Sequence, residues 1–530
     1  MRRRIGTDVG GTNTDAVLVT DGRVEAAVKS PTTADVTGGI VAAMRRLGAM
    51  VDTTTGIGAL LVGTTHFVNA VVQQRRLSPI AAIRIGLPAT ATLPPFTDWP
   101  RGLAEMVRGG TWLVEGGHDY DGRRFSALDL AAVKRIAGEI CTRGLAHVAV
   151  TAMFSPLDPS DEEEVARILE EEIPGVSVTC SHRLGGISLL ERENAALLNA
   201  ALVELARETV QSVRRAMEEI GVSAPLYITQ NDGTVAEAAR AVDLPVFSFA
   251  SGPTNSMRGA AYLSKLDSAV VVDVGGTSSD FGHLRQGFPR EANSVVHVGG
   301  VRTLFRMPDL VSIALGGGSL VDPDTMSVGP MSVGYRLTEE ALVFGGSRLT
   351  ATDIAVAAGL AHIGDRRKVR HLGTTLVDGV LARVTALIEE HVDRMKTDAG
   401  DVVLIAVGGG SFLVPDRLQG VARVVRVEHG GCANAIGAAI AQVSGEVDQI
   451  FQGMSREDAI GLARDLADRR AVEAGAAPAS LTMVEAEDIP IAYLPGNALR
   501  VRVKVVGDIK GEAPEAAGEK NASAIPDQYA

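Results

Sequence analysis

Cysteine is scarce in this sequence, with three in 530 residues. Cys141, Cys180 and Cys432 lie far apart and form no C-x-x-C pair, so the sequence predicts neither a zinc site nor a disulfide framework. No apolar run reaches the roughly 18 residues that a membrane-spanning helix needs, and no secretory signal follows the N-terminal arginines. We therefore expect a cytoplasmic protein with reduced thiols and no membrane partner.

Positive charge is also in short supply. The formal net charge is −13, which argues against binding to nucleic acid or to an anionic membrane surface. Aromatic residues make up only 4% of the chain, whereas glycines number 59, which suits a fold rich in tight turns. The length allows two large domains with good cores, and the shares of hydrophobic and charged residues are those of a globular enzyme.

The phosphate loop of P-loop proteins, G-x-x-x-x-G-K-[ST], is missing. A duplicated motif is present instead. Residues 8–15 contain Asp-Val-Gly-Gly-Thr-Asn-Thr-Asp, and residues 273–280 contain Asp-Val-Gly-Gly-Thr-Ser-Ser-Asp. Each copy is followed by a second apolar stretch and a turn, at Asp21-Gly22 and Gln286-Gly287. This pattern predicts two β-hairpin units related by a long-period repeat.

The residue types of this motif suit a phosphate ligand. Paired glycines let backbone N–H groups approach an anion closely, and Asp8 and Asp273 can hold a hydrated Mg²⁺ that neutralises it. Two such turns facing each other would clamp a polyphosphate, whereas two tight turns without a ligand are the simpler alternative. Asp15 and Asp280 either orient the hydroxyl groups or cap the loops. The predicted cofactor-binding residues of the two turns are Gly10, Gly11, Thr12, Asn13, Thr14, Gly275, Gly276, Thr277 and Ser278.

Other predicted strands also end in candidate groups. A third glycine turn follows the predicted strand at 402–407, and such turns form ligand crevices in open α/β sheets; an ordinary β–α turn is the alternative. Polar residues after two further strands are predicted to contact substrate, with a helix N-cap or a plain turn as the alternatives. These candidates are Gly408, Gly409 and Gly410 for the cofactor, and Thr64, Thr65, His66, Asn69, Asn231 and Asp232 for the substrate.

These motifs together resemble the hydantoinase/oxoprolinase family of the actin-like ATPase superfamily. The segments that carry the resemblance are residues 5–15, 63–70, 251–253, 272–280, 316–319, 350–353 and 493–497. The resemblance implies an α/β fold of two ribonuclease H-like domains, of the actin and sugar-kinase type, with a nucleotide cleft between them. It also implies ATP and Mg²⁺ as cofactors, Asp8 and Asp273 as catalytic and metal-binding residues, and adenosine binding at Gly408–Gly410.

The reaction that the resemblance implies is the ATP-dependent phosphorylation of a cyclic amide or related carbonyl substrate for hydrolysis. A second hydrolase subunit is the expected partner, and a homo-oligomer stays open. Two family features differ here. Residues 309–312 are Asp-Leu-Val-Ser where relatives carry Asp-Ile-His-Thr, and residues 411–415 are Ser-Phe-Leu-Val-Pro where relatives continue Gly-Pro-Leu-His. Both histidines are missing, which affects the expected substrate.

Two other functions share this fold and stay open. A sugar- or polyol-type kinase would phosphorylate a hydroxyl group, and a non-catalytic actin-like protein would use ATP only to assemble. The predicted domains are 1–192 (N-terminal hydantoinase/oxoprolinase type), 193–430 (second actin-like ATPase domain), 431–508 (helix and β-hairpin region) and 509–530 (disordered tail). Prolines predict an irregular region at 87–125, and the apolar period predicts the longest helix at 193–220.

Overall fold

The computed structural model describes residues 2–10, 13–31, 36–292, 295–304, 306–492 and 496–511. Of the segments that carry the family resemblance, residues 11–12 and 493–495 lie outside this part of the chain. The described helices are α1 (Val36–Gly48), α2 (His66–Val72), α3 (Arg101–Val107), α4 (Leu130–Thr142), α5 (Ser160–Glu172), α6 (Leu189–Glu219), α7 (Ala238–Ala241), α8 (Ser251–Ser264), α9 (Leu337–Glu340), α10 (Ala351–Ala358), α11 (Thr374–Met395), α12 (Ala433–Ala439) and α13 (Arg456–Glu473).

Strands from the whole length of the chain form several sheets. The described strands are β1 (Arg3–Val9), β2 (Asn13–Thr20), β3 (Arg23–Pro31), β4 (Ala59–Thr64), β5 (Ile80–Leu87), β6 (Arg108–Glu115), β7 (His147–Ala152), β8 (Ser177–Cys180), β9 (Leu226–Thr229), β10 (Thr234–Glu237), β11 (Ala269–Val274), β12 (Ser279–Arg285), β13 (Phe288–Pro289), β14 (Val296–Val298), β15 (Val301–Thr303), β16 (Leu310–Ile313), β17 (Ser319–Val321), β18 (Val328–Ser332), β19 (Val402–Val407), β20 (Val421–Arg426), β21 (Gln442–Phe451), β22 (Thr482–Pro490) and β23 (Leu499–Gly507).

The first motif belongs to a nine-stranded sheet with the order β22-β23-β21-β10-β9-β4-β1-β2-β3. Its apolar side chains alternate between two faces, as the pleat of a strand requires. Leu60 and Val62 of β4 pack with α1 and the second half of α6, whereas Ala59 and Leu61 pack on the face that α13 covers. The sheet thus has helices on both faces.

The second motif belongs to a six-stranded sheet that runs β13-β12-β11-β19-β20, with β16 paired to β12. Helices α10 and α11 bury one face, against Val270 and Val272, and α8 buries the other, against Val271 and Ile405. A separate four-stranded parallel sheet, β6-β5-β7-β8, packs between α4 and α5 on one side and the first half of α6 on the other. Helix α6 therefore joins this sheet to the nine-stranded one.

Helices α8 and α12 pack against each other between the two large sheets. α8 lies on the six-stranded sheet, and α12 lies on β1 and β2 of the nine-stranded sheet. Their backbones come unusually close, because a Cβ on Gly259 would overlap Ala433 and one on Gly437 would overlap Asn255. Two α/β units therefore face each other across this helix pair, which we call the α8–α12 seam.

Some sequence predictions need correction. The region 87–125 is not irregular throughout: its prolines all precede α3, and Leu103, Val107 and Val114 are buried in α3 and β6. The nine-stranded sheet takes strands from both sides of the predicted boundaries at 192 and 430, because parallel pairing joins distant segments. Ile509 is buried against the C-terminal helix α13, so packed chain continues beyond the predicted boundary at 508. Residues 512–530 lie outside the described chain.

Among the described residues, no helix combines the length and apolar character needed to cross a bilayer.

Candidate functional site

The two copies of the motif form the same hairpin. In the first, Asp8 pairs with Asp15 across β1 and β2, and in the second, Asp273 pairs with Asp280 across β11 and β12. The two turns are closed by equivalent hydrogen bonds. The N–H of Gly10 donates to the carbonyl of Asn13 at 3.0 Å, and the N–H of Gly275 donates to the carbonyl of Ser278 at 2.9 Å. Gly11 and Thr12 lie outside the described residues. The predicted repeat of hairpins is confirmed.

Asp8 lies at the end of β1 beneath the α8–α12 seam and is only 3% exposed. Its Oδ2 accepts a hydrogen bond of 2.9 Å from the side-chain amide of Asn434, at the start of α12. Its Oδ1 is buried without a hydrogen-bond partner among the described residues. Burial, followed by repulsion from Asp15, raises the pKa of Asp8 to about 7, and the Asn434 amide opposes this shift. A buried carboxylate oxygen that lacks a donor is suited to a cation.

Asp273 occupies the equivalent position on the other side of the seam. Its Oδ2 accepts a hydrogen bond from the hydroxyl of Ser256, on α8. Burial raises the pKa of Asp273, while the Ser256 hydrogen bond and the charge of Lys29 act in the opposite direction. The charge of Asp273 in turn contributes to the raised pKa of Asp8. The two aspartates are therefore close enough to interact, as the sequence predicts for a shared ligand.

The second aspartates of the hairpins differ in their partners. Asp15 is buried, and both of its carboxylate oxygens lie 2.7 Å from Nζ of Lys29, on β3. Asp280 instead accepts a hydrogen bond from the hydroxyl of Ser312, on β16. Burial raises the pKa of Asp280 to about 6, and the neighbouring charge of Asp273 adds to the rise. The first hairpin therefore has a cation at its base where the second has only a hydroxyl group.

Two further glycine turns pack against the second hairpin. Gly410 N–H donates to the carbonyl of Val274 at 2.7 Å, and Gly317 N–H donates to the carbonyl of Gly275 at 3.0 Å. Gly408 has a φ of +87°, and a Cβ there would overlap Oδ1 of Asp273. This residue must therefore be glycine for Asp273 to keep its position. Gly409 is the more open member of its turn, with Cε of Lys29 at 4.0 Å from the place of a Cβ.

The Thr64–Asn69 segment lies beside the first aspartate. Thr64 is buried, and its backbone N–H and carbonyl both hydrogen-bond to Ser251 at the start of α8. A Cβ placed on Gly252, the next residue, would lie 3.2 Å from the methyl group of Thr65 and 3.8 Å from Oδ1 of Asp8. The four predicted residues thus fall into two settings. Thr64 and Thr65 adjoin the aspartate, whereas His66 contacts Arg76 at 3.0 Å and the Asn69 amide donates to the hydroxyl of Thr65 at 3.3 Å.

Asn231 and Asp232 are engaged within the protein rather than open to a ligand. The Asn231 side chain donates to the carbonyls of Val246 and Arg306 at 3.0 and 3.1 Å and accepts from the backbone of Ala250 at 2.7 Å. Asp232 forms an ion pair with Lys504 at 2.7 Å. Burial alone would raise the pKa of Asp232, but Lys504 and Arg306 hold it well below its ordinary value. These contacts favour a supporting role for both residues beside the entry to α8.

Three residues that hold the aspartates escaped the sequence analysis. They come from elements distant in the sequence: Lys29 from β3, Ser256 from α8, and Asn434 from α12. The Ser-Gly-Pro run at 251–253 marks the start of α8, so the polar residues that follow it, including Ser256, could have been predicted to lie near the site. The run Gly430-Gly431-Cys432 before Asn434 marks the start of α12 in the same way.

The carboxylate oxygens of this site are of the ligand type that Mg²⁺ prefers. Mg²⁺ prefers oxygen ligands and takes one or two carboxylates while it retains waters. Asp8 and Asp273 supply two carboxylates, and Oδ1 of Asp8 forms no hydrogen bond within the described chain, although the Asn255 amide lies on the same side of it. Elsewhere in the described chain, Glu162, Cys180 and His182 bring three possible ligand atoms within 4.8 Å of one another. There the Glu162 carboxylate already accepts hydrogen bonds from Ala152, Ser181 and His182, so that cluster is a satisfied polar network.

Comparison with known proteins relates this chain to proteins of known activity. It is 25% identical over 397 residues to the caprolactamase subunit alpha of Pseudomonas jessenii, a match that covers 67% of this chain and 54% of that protein. It is 26% identical over 393 residues to the acetophenone carboxylase gamma subunit of Aromatoleum aromaticum, with coverage of 67% and 53%. The chain thus spans about half the length of the curated relatives it matches.

Solved structures and family models agree with this relationship. The ATP-dependent caprolactamase from Pseudomonas jessenii superimposes with a TM-score of 0.75 at 19% identity, over 98% of this chain and 90% of that one. Nucleotide-free acetone carboxylase superimposes with a TM-score of 0.68 at 17% identity, over 96% and 88%. These likenesses confirm the predicted fold class.

The model of the hydantoinase/oxoprolinase N-terminal region matches residues 4–173, and the hydantoinase/oxoprolinase model matches residues 192–365. Because these matches together cover more than half of it, the chain belongs to the hydantoinase/oxoprolinase family.

Proposed function

We propose that this chain is the ATP-using subunit of an enzyme that activates a cyclic amide, or a related carbonyl compound, by phosphorylating its oxygen. The observation that carries the proposal is the pair of matching hairpins whose aspartates, Asp8 and Asp273, accept hydrogen bonds from the two helices of the α8–α12 seam. The relatives support the same chemistry, since the caprolactamase and the acetone carboxylation reaction are both described as ATP-dependent. A lactam and a ketone share the carbonyl group that ATP would activate.

In this proposal the protein positions the reactants and compensates charge, which accounts for most of the catalysis of phosphoryl transfer. Asp8 and Asp273 hold Mg²⁺, which neutralises phosphate charge when it is bound. The N–H groups of Gly275, Gly408 and Gly410 already donate to carbonyls within the protein. The backbone N–H groups of Gly276 and Gly409, in the same two turns, would therefore face the phosphates and the nucleoside. Asn434 and Ser256 keep the two carboxylates oriented through their hydrogen bonds.

The substrate would enter on the side of Thr65, His66 and Asn69, next to Asp8. Transfer of the terminal phosphoryl group to the carbonyl oxygen leaves ADP and weakens the C–N bond of an amide toward attack by water. The relatives are named as alpha and gamma subunits, so we propose that a partner subunit completes the reaction. Hydrolysis is the favoured outcome, and carboxylation is the second candidate, because the acetophenone carboxylase subunit is as similar to this chain as the caprolactamase subunit is.

The test combines nucleotide binding with a panel of carbonyl compounds. Calorimetry should show ATP binding that depends on Mg²⁺, and Asp8→Asn and Asp273→Asn should each abolish that dependence while the protein stays folded. ADP release should then rise with a lactam, with a hydantoin, or with a ketone plus bicarbonate, and the compound that acts separates hydrolysis from carboxylation. Transfer of phosphate to a sugar hydroxyl would move the assignment to a kinase. ATP-dependent sedimentation without any turnover would move it to an assembling protein.

A further inference from the structure

Lys29 is a cation placed against the acidic base of the first hairpin. It lies opposite Asp15 in the register of β2 and β3, and its ammonium group is 2.7 Å from both carboxylate oxygens. The Asp15 side chain is 2% exposed, whereas that of Lys29 is 35% exposed. Lys29 is therefore half-buried and contacts a carboxylate that is itself fully buried.

The same side chain reaches toward the other α/β unit. Its Cε lies 4.0 Å from the position that a Cβ on Gly409 would occupy. Gly409 follows β19 in the six-stranded sheet, whereas Lys29 belongs to β3 of the nine-stranded sheet. Lys29 thus lies between the first hairpin and the third glycine turn. No sequence motif pointed to it, and the proposed roles of the aspartates leave it unused.

The charges of the site indicate what this lysine can do. Four carboxylates, on Asp8, Asp15, Asp273 and Asp280, lie at the bases of the two hairpins, and a phosphate chain brought beside them is repelled unless cations compensate. Mg²⁺ held by Asp8 and Asp273 would compensate part of this charge. An ammonium group has three donors; the two oxygens of Asp15 take two of those of Lys29, and the described chain leaves the third for a ligand.

We propose that Lys29, oriented by Asp15, binds the phosphate chain of the nucleotide in the cleft. This inference rests on the proposed function and extends it by naming the side chain that recognises the polyphosphate. Asp15 is a positioning residue, because it acts through the lysine. The second hairpin has Ser312 beside Asp280 at the matching place, so the polyphosphate has a lysine on one side only.

The first experiment compares Lys29→Met with wild type by calorimetry, using ADP and ATP with Mg²⁺, and by ligand-observed NMR, using adenosine. Loss of one charge-assisted hydrogen bond should weaken ADP and ATP binding about ten- to a hundredfold, whereas adenosine binding should not change. Lys29→Arg should retain most of the affinity. Lys134→Met is the matched control, because Lys134 is exposed on α4 beside the four-stranded sheet. That control should bind as wild type does.

A second variant separates ligand binding from support of the fold. Lys29→Met leaves the buried Asp15 unpaired, which could disturb the site by itself. The double variant Lys29→Met/Asp15→Asn removes both charges and should still bind ADP and ATP weakly. Recovery of wild-type affinity in the double variant, or unchanged affinity in Lys29→Met, overturns the inference and leaves the proposed function standing. If wild type binds no nucleotide at all, the proposed function and this inference fall together.

Discussion

The side-chain amide of Asn434 donates a hydrogen bond of 2.9 Å to Oδ2 of Asp8, although 426 residues separate the two in the sequence. The contact fixes one carboxylate oxygen and leaves the other, Oδ1, facing the seam without a donor. It also stabilises the charged form of a carboxylate that burial pushes toward the neutral form. Asn434 thus links the helix between the two units to the aspartate at the end of β1.

We predict that Asn434→Ala weakens Mg²⁺-dependent nucleotide binding about tenfold, because Asp8 loses the donor that orients it and stabilises its charged form. The stability of the fold should fall by only about 1 kcal/mol. Calorimetry with and without Mg²⁺ measures the first effect, and denaturant unfolding the second. Gln442→Ala is the control, since it removes an amide-to-carboxylate hydrogen bond of the same kind, to Asp508. Equal affinities in Asn434→Ala and wild type would contradict the role given to this amide.

A methyl group at Gly63 should act on the same carboxylate from the other side. Gly63 of β4 lies directly beside Asp8 in the parallel register, and a Cβ there would overlap Oδ1 of Asp8 and lie 2.5 Å from the amide nitrogen of Asn255. Gly63→Ala should therefore displace Asp8 and reduce metal-dependent nucleotide binding at least tenfold.

The control for that change is Gly138→Ala. Gly138 lies within helix α4, and nothing is found within 4 Å of the position of its Cβ. This substitution should stabilise the fold by up to about 1 kcal/mol and leave nucleotide binding unchanged. Thermal unfolding and calorimetry on the two variants make the comparison. Normal binding by Gly63→Ala would show that Asp8 can move without loss of the site.

The Asp232–Lys504 ion pair predicts a dependence of stability on acid. The folded pKa of Asp232 lies below its ordinary value of 3.8 because Lys504 and Arg306 outweigh the effect of burial. A lowered folded pKa gives stability that is present above pH 3.8 and is lost as the pH falls through the folded pKa. Lys504→Met leaves Asp232 buried and unpaired, so it should lower the free energy of unfolding by about 3 kcal/mol at pH 7. On acidification, the free energy of unfolding of this variant should fall less than that of wild type.

The double variant Asp232→Asn/Lys504→Met completes this test. It leaves no unpaired charge, so it should be more stable than Lys504→Met at pH 7, and its stability should change less than that of wild type below pH 4. Urea unfolding between pH 3 and pH 7 gives both comparisons. If nucleotide and substrate binding survive in the double variant, the pair supports the fold, as the geometry indicates. If substrate binding alone is lost, Asp232 has the substrate role predicted from the sequence.

The two hairpins were predictable because their residues are local. Paired glycines, flanking apolar runs and matching spacing determine each turn within about ten residues, and the repeat makes the pattern specific. Lys29 was not predictable in the same way. A simple hairpin around Asp21-Gly22 would place Asp15 opposite Val28, but an irregularity between Leu18 and Val19 shifts the register by one residue. That shift moves Lys29 opposite Asp15.

The partners that lie far apart in the sequence were beyond local rules for a different reason. Asn434 and Ser256 come to the aspartates only because α8 and α12 pack closely, and that packing depends on Gly259 and Gly437 at the crossing. Asn231 is a similar case: its position after a strand predicted a substrate contact or a plain turn, whereas its side chain hydrogen-bonds to the backbone of Val246 and Ala250. Tertiary contacts, rather than local sequence, decide these roles.

The last prediction concerns the chain without a partner. An amide phosphorylated on its oxygen must still meet an activated water, and a metal-bound hydroxide is a common source of one at neutral pH. Apart from the proposed Mg²⁺ ligands Asp8 and Asp273, the described residues group three possible metal ligands at Glu162–Cys180–His182, and the Glu162 carboxylate already accepts hydrogen bonds from Ala152, Ser181 and His182. The isolated chain should therefore release ADP slowly, faster when the right carbonyl compound is present, and should form little ring-opened product. Adding the partner subunit should raise both rates together. Parallel measurement of ADP and of ring-opened product on the purified chain decides the matter, since efficient, stoichiometric ring opening by the chain alone would contradict the need for a second subunit.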